Sequence, residues 1–121
     1  DCAHNPSGFE VLKKELLILK NKKNIKNFVF VVGIQKDKNI MEILNIINPL
    51  ISTIIFTNSR NEKAAKPQEL LTTFQKINQN KKIQTKIINN PKNALTHAKK
   101  ISSKNDLVVV TGSIYLVGVT I

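Results

Sequence analysis

Phe28-Val29-Phe30-Val31-Val32 is an unbroken apolar run that stops at Gly33. A strand with one wet face alternates apolar and polar residues, so a run without a polar member predicts a strand covered on both faces. Working outward, Phe9, Leu12, Leu16 and Leu19 recur at helical spacing within residues 6–22. After the apolar run, Asn39 and Glu42 form a capping-box-like pair ahead of Ile40, Ile43, Leu44, Ile47 and Leu50. Thr53–Thr57 reads as the next strand, and Pro67 opens a helix bearing Leu70, Leu71, Phe74 and Ile77. Lys82–Ile88 is a strand of weaker character. Asn90-Pro91 caps a helix through Ala94, Leu95, Ala98 and Ile101, and Leu107–Val110 is the last clear strand. Between these elements, Asn58–Lys66 reads as a polar, mobile loop. The alternation predicts an α/β fold: a Rossmann-like, mostly parallel sheet with right-handed crossovers and helices on both faces.

At 121 residues the chain has the size of one domain with a single core. Its formal charge of +11 invites a nucleic-acid reading, but Arg60 is the only arginine and the aromatics are few and scattered. Readers of bases favour arginine forks and stacking platforms, so solvated lysines such as Lys13-Lys14, Lys22-Lys23, Lys81-Lys82 and Lys99-Lys100, expected at helix ends and turns, explain the charge better. Cys2 is the only cysteine, which excludes an internal disulfide and suggests a reducing compartment. With only His4 and His97 beside it, no metal site is expected. The apolar stretch Leu107–Ile121 is broken by Thr111, Gly112 and Ser113 and is too short to span a bilayer. No secretory leader is visible, so a soluble, cytoplasmic protein is expected.

In a parallel sheet, ligands bind at the carboxyl ends of the strands. Four polar segments are expected there: Asp1–Asn5, Gly33–Lys38, Asn58-Ser59-Arg60 and Thr111-Gly112-Ser113. Asn5-Pro6 caps the first helix, whose free N–H groups attract phosphate or carboxylate. Asp1 and His4 beside that end suggest nucleotide or acyl-phosphate chemistry; the plainer reading is a capped helix with incidental polar neighbours. A Cys2/His4 nucleophile pair is the weaker idea. No Gly-x-x-x-x-Gly-Lys-Ser/Thr loop and no Gly-x-Gly-x-x-Gly turn occurs, so the domain is not expected to hold a nucleoside triphosphate alone. Asp37 lacks the acidic companions that a phosphate-accepting response-regulator domain needs.

Asp1-Cys2-Ala3-His4-Asn5-Pro6 resembles the Asp-Gly-Ala-His-Asn-Pro motif of the folylpolyglutamate synthase/dihydrofolate synthase C-terminal domain, in the Mur ligase superfamily. Val32–Lys38 resembles that family's Gly-x-x-Lys-Asp-Lys loop, and Asn90-Pro91 with Ala94-Leu95 resembles a weaker Asp-Pro…Ala-Leu element. Thr111–Gly118 resembles Thr-Gly-Ser-Leu-Tyr-Leu-Val-Gly. The resemblance covers nearly the whole chain. It implies the C-terminal lobe (residues 1–121) of an ATP-dependent amide ligase, which adds L-glutamate to folate or dihydropteroate through an acyl phosphate. By the same resemblance, Asp1 accepts from the ATP ribose. His4 lies near the terminal phosphate and incoming glutamate, and Ser113 contacts glutamate. Lys36 assists a carboxylate or phosphate. ATP and Mg2+ would be held mainly by an upstream domain of the same chain. The enzyme would act as a monomer in folate biosynthesis, with no nucleic-acid or membrane partner.

The sequence departs from that pattern at Cys2, where glycine is usual, and at Val119-Thr120-Ile121, where an acidic residue is expected. The strand preceding the first motif is missing. Over Ile114–Val119 the local pattern alone predicts a strand, while the resemblance implies a helix, and the helix is the expectation adopted. Two alternatives remain at this point: a small basic module binding RNA or another polyanion, and a degenerate scaffold without chemistry.

Overall fold

The computed structural model of the chain describes residues 6–59, 62–78, 82–112 and 117–120. The elements follow in order: α1 (Pro6–Lys23), β1 (Asn27–Gly33), α2 (Ile40–Ile47), a 3-10 turn (Asn48–Leu50), β2 (Ile51–Phe56), α3 (Pro67–Ile77), β3 (Gln84–Ile87), α4 (Pro91–Ile101), β4 (Asp106–Gly112) and β5 (Val117–Thr120). They build one sheet in the order β3-β2-β1-β4-β5. The first four strands in that order run parallel, and β5 is antiparallel to β4.

β1 lies between β2 and β4, and its apolar run divides by parity between two layers. Phe28, Phe30 and Val32 face the layer built with Phe9 and Leu12 of α1, Ile43 and Leu44 of α2, and Leu70 and Phe74 of α3. Val29 and Val31 face the other layer with Val108, Ala94 and Ala98. The buried run predicted for a doubly covered strand is this strand. The two alanines present little bulk, so α4 can lie close to the valines. Phe56 and Phe74 meet with ring centroids 5.8 Å apart and planes tilted by 59°, a geometry worth about 1 kcal/mol beyond burial.

The layers follow from handedness. α2 and α3 carry the chain outward from β1 to β3 on one face, so a right-handed return to β4 must cross the opposite face, where α4 lies. α1 packs against α2 on the three-helix side. It ends where Asn24 takes a left-handed φ of 54°, a conformation Asn tolerates. The Ile25 N–H then reaches back to the Lys20 carbonyl at 3.1 Å, and buried Ile25 covers the helix end.

Two expectations need correction. The helix expected over Ile114–Val119 is absent over its described part, because Val117–Thr120 is strand β5, paired from Val110↔Val117 to Leu107↔Thr120. Val117, Val119 and Thr120 are β-branched and favour extended backbone, and β4 offers them an open edge. Residues 113–116 lie outside the described residues. Lys13-Lys14 sits in the middle of α1, not at a helix end. Among the described residues no helix is long and apolar enough to cross a membrane.

Candidate functional site

Strand order reverses between β1 and β4, and an open parallel sheet forms its ligand crevice at such a point. At the carboxyl ends of these two strands, Val32 pairs with Thr111 and Gly33 with Gly112. β2 closes in from the other side, with the Thr57 N–H donating to the Val32 carbonyl at 2.9 Å. A Cβ at Gly33 would lie 3.1 Å from the Thr57 carbonyl oxygen and 3.2 Å from Ser59 N. Glycine is therefore what allows the ends of β1 and β2 to meet this closely.

The loop leaving β1 is held from beneath. The Ala65 N–H donates to the Ile34 carbonyl at 2.8 Å, and the Lys36 N–H donates to the Lys63 carbonyl at 2.7 Å. Gln35 and Ala64 form an isolated antiparallel bridge between them, and the Ile34 and Ala65 side chains are buried. The described part of the segment expected as a mobile loop is therefore tied to the β1 loop by its backbone. Lys36 projects an exposed side chain from this anchored turn.

Other polar groups gather at the same rim. Thr57 Oγ1 donates to the Asn89 carbonyl at 3.0 Å, and the Asn58 N–H reaches the same oxygen at 3.1 Å. α4 starts beside them, its first turn capped by Asn90 Oδ1 accepting from Lys92 N at 2.9 Å and Asn93 N at 3.1 Å. At α2, Asn39 Oδ1 accepts from Glu42 N at 3.2 Å while Asn39 Nδ2 donates to Glu42 Oε2 at 2.8 Å, the reciprocal pair read from the sequence. Ser59 Oγ and Thr111 Oγ1 are buried at the ends of β2 and β4 without a hydrogen-bond partner.

Of the residues expected to do chemistry, Lys36 is at the rim. Asp1, His4 and Ser113 lie outside the described residues, as do Cys2 and Arg60. Their described neighbours do share one edge. α1 begins at Pro6 and runs antiparallel to β1, ending beside its start; its 18 residues span about 27 Å, a little more than the strand. Pro6 therefore sits at the same edge as Gly33 and Gly112. Among the described residues no group of three or more His, Cys, Asp or Glu could hold a metal ion.

The opposite edge carries structure. Asn27 Nδ2 donates to Asp106 Oδ1 at 3.0 Å, and Ser103 N and Oγ donate to Asp106 Oδ2 at 2.9 and 3.1 Å. Ser52 Oγ donates to Asn27 Oδ1 at 3.2 Å, linking β2, β1 and β4 at their starts. Burial pushes the Asp106 carboxyl up, but the Ser103 and Asn27 donors, with the nearby Lys26 charge, outweigh it and leave it below its ordinary value of 3.8. In the sequence, a polar residue just before an apolar strand is the only signal for Asp106.

No curated protein matches the chain. Among solved structures it resembles E. coli FolC in complex with DHPP and ADP, at 22% identity and a TM-score of 0.79 over 93% of this chain and 25% of that one. It also resembles bifunctional folylpolyglutamate synthase/dihydrofolate synthase from Yersinia pestis complexed with AMPPNP and a Mn ion, at 20% identity and a TM-score of 0.78, covering 93% of this chain and 25% of the other. Folylpolyglutamate synthase from Thermotoga maritima matches at 27% identity and a TM-score of 0.67, over 93% of this chain and 24% of that one. The chain thus spans about a quarter of the length of these relatives. The family described as dihydrofolate synthetase, C-terminal domain, matches residues 1–121 from end to end, and the protein belongs to that family.

Proposed function

We propose that the chain is the C-terminal lobe, residues 1–121, of a cytoplasmic ATP-dependent ligase that adds L-glutamate to folate or dihydropteroate. The carrying observation is the Gly33–Gly112 pairing, which brings the anchored Lys36 turn and the end of β4 together at the strand-order reversal. Such an edge suits an anionic ligand, since Lys36 supplies an exposed cation. In this reading, as the family resemblance implies, the metal and most of the ATP phosphates belong to an upstream domain.

ATP supplies the phosphoryl group that activates the acceptor carboxylate. Within this chain, Asp1 holds the ribose by accepting its hydroxyl protons. His4 stabilises negative charge as the glutamate amine attacks. Ser113 orients the glutamate, and Lys36 binds one of its carboxylates or the departing phosphate. ADP in the E. coli relative and AMPPNP in the Y. pestis relative support the use of a nucleotide by the whole ligase. The relatives lend no support to a polyanion-binding module.

The test is ATP consumption with folate or dihydropteroate and glutamate, using the chain alone and then joined to its upstream domain. Turnover is expected only in the joined enzyme, where His4→Ala should abolish most of it while leaving the thermal midpoint unchanged. Turnover by the lone chain, or full activity in the variant, overturns the reading.

A further inference from the structure

α1 differs from the other helices in what it shows to solvent. Its inner row, Phe9, Leu12 and Leu16, is buried. On its other side Val11 is 53% and Ile18 64% exposed, and Leu17 beside them is 43% exposed. Among the described residues α3 exposes no large apolar side chain. α2 and α4 expose one each, Met41 in the first turn of α2 and Ile101 at the end of α4. A helix that is apolar on both sides is ordinarily covered on both.

The outer row has a pattern of its own. Val11, Lys14, Glu15 and Ile18 stand at i, i+3, i+4 and i+7, so they share one face. Both charged members are exposed. The row reads apolar, cation, anion, apolar, and its centre lies midway between Lys14 and Glu15. Turned end for end against a second copy, it sets Val11 against the partner's Ile18 and Lys14 against the partner's Glu15, each contact occurring twice. A parallel mate would instead set like charge against like. Antiparallel helices also oppose their dipoles favourably. The net charge of +11 on each chain is screened beyond about 8 Å in physiological salt, whereas the contacting pairs are not.

We propose that α1 is a contact between two copies of this chain, which pack their Val11–Ile18 faces antiparallel about a twofold axis. Such a pairing uses the same face on both copies and closes at two. A single pair of 18-residue helices falls below the roughly 1,200 Å² at which standard interfaces begin, so the association is reversible.

The test is sedimentation equilibrium of the chain at physiological salt over rising concentration. A monomer–dimer equilibrium is expected, with Kd on the order of 100 μM. Ile18→Glu should weaken it roughly tenfold or more. Lys14→Glu should weaken it as well, because it faces two pairs of like charge. Lys14→Glu/Glu15→Lys should restore it, since opposite signs meet again; a loss of helix stability would not be reversed in this way. A chain that stays monomeric near 1 mM, flagged as about tenfold above that Kd, overturns the proposal. So does a dimer indifferent to Ile18→Glu, or a double variant no better than the single one. A joined ligase that stays monomeric, with the thiol of Ile18→Cys shielded by its upstream domain, overturns it too.

Discussion

Gly33 and Ser59 approach so closely that a methyl group on the glycine would stand 3.2 Å from the serine nitrogen and 3.3 Å from its Cβ. The contact is largely backbone against backbone, so it cannot be relieved by turning one side chain. Gly33→Ala should therefore destabilise the fold by about 1–3 kcal/mol, read as a lower urea midpoint. In the joined ligase the same substitution should lower activity further, because it displaces the segment that carries the Ser59 hydroxyl. An unchanged midpoint would mean that the rim is pliable.

Asp106 makes stability depend on acidity. Its folded value lies below the ordinary 3.8, so its contribution is complete above that pH and is lost as pH falls through the folded value. Urea midpoints measured at pH 7 and near pH 3 should fall more for the parent than for Asp106→Asn, and at pH 7 the variant should be the weaker of the two. Equal slopes would remove this carboxylate from the acid response.

Asn90 satisfies two free N–H groups of α4. Asn90→Ala should cost about 1 kcal/mol, while Asn90→Ser or Asp should restore most of it. Thermal melts of the three variants make the comparison.

Lys36 is exposed, while its backbone is fixed by the Lys63 carbonyl. Lys36→Ala should leave the thermal midpoint in place. In the joined ligase it should raise KM for glutamate, with a smaller effect on kcat. A loss of stability without a change in KM would make it a structural lysine.

The central strand was legible because burial on both sides leaves a local mark, five apolar residues in succession. The starts of α2 and α4 were equally legible, since capping chemistry is confined to three or four residues around Asn39 and Asn90. What eluded the sequence depends on partners far along the chain. The Asn27–Asp106 bond spans 79 positions, and the 63–65 segment looked like free loop because its partners are backbone atoms near Gly33. At Val117–Thr120 the local alternation was the sounder guide, and the helix implied by resemblance was not. Of the candidate site, the sequence located the Lys36 turn and the strand ends of the rim. It gave no sign that Ser59 and Thr111 would carry buried, unpartnered hydroxyls, which only the packing of the strand ends creates.

α1 shares its side of the sheet with α2 and α3, which advance from β1 toward β3. A parallel strand joined ahead of α1 must advance in the same sense to keep a right-handed crossover. It must therefore enter from beyond β4, since the place beside β1 is filled. That lane is the one in which Val117–Thr120 lies antiparallel, so any such strand and β5 would compete for a single row of β4 hydrogen-bonding groups. β5 thus occupies the one place on this sheet that a right-handed crossover into α1 could use.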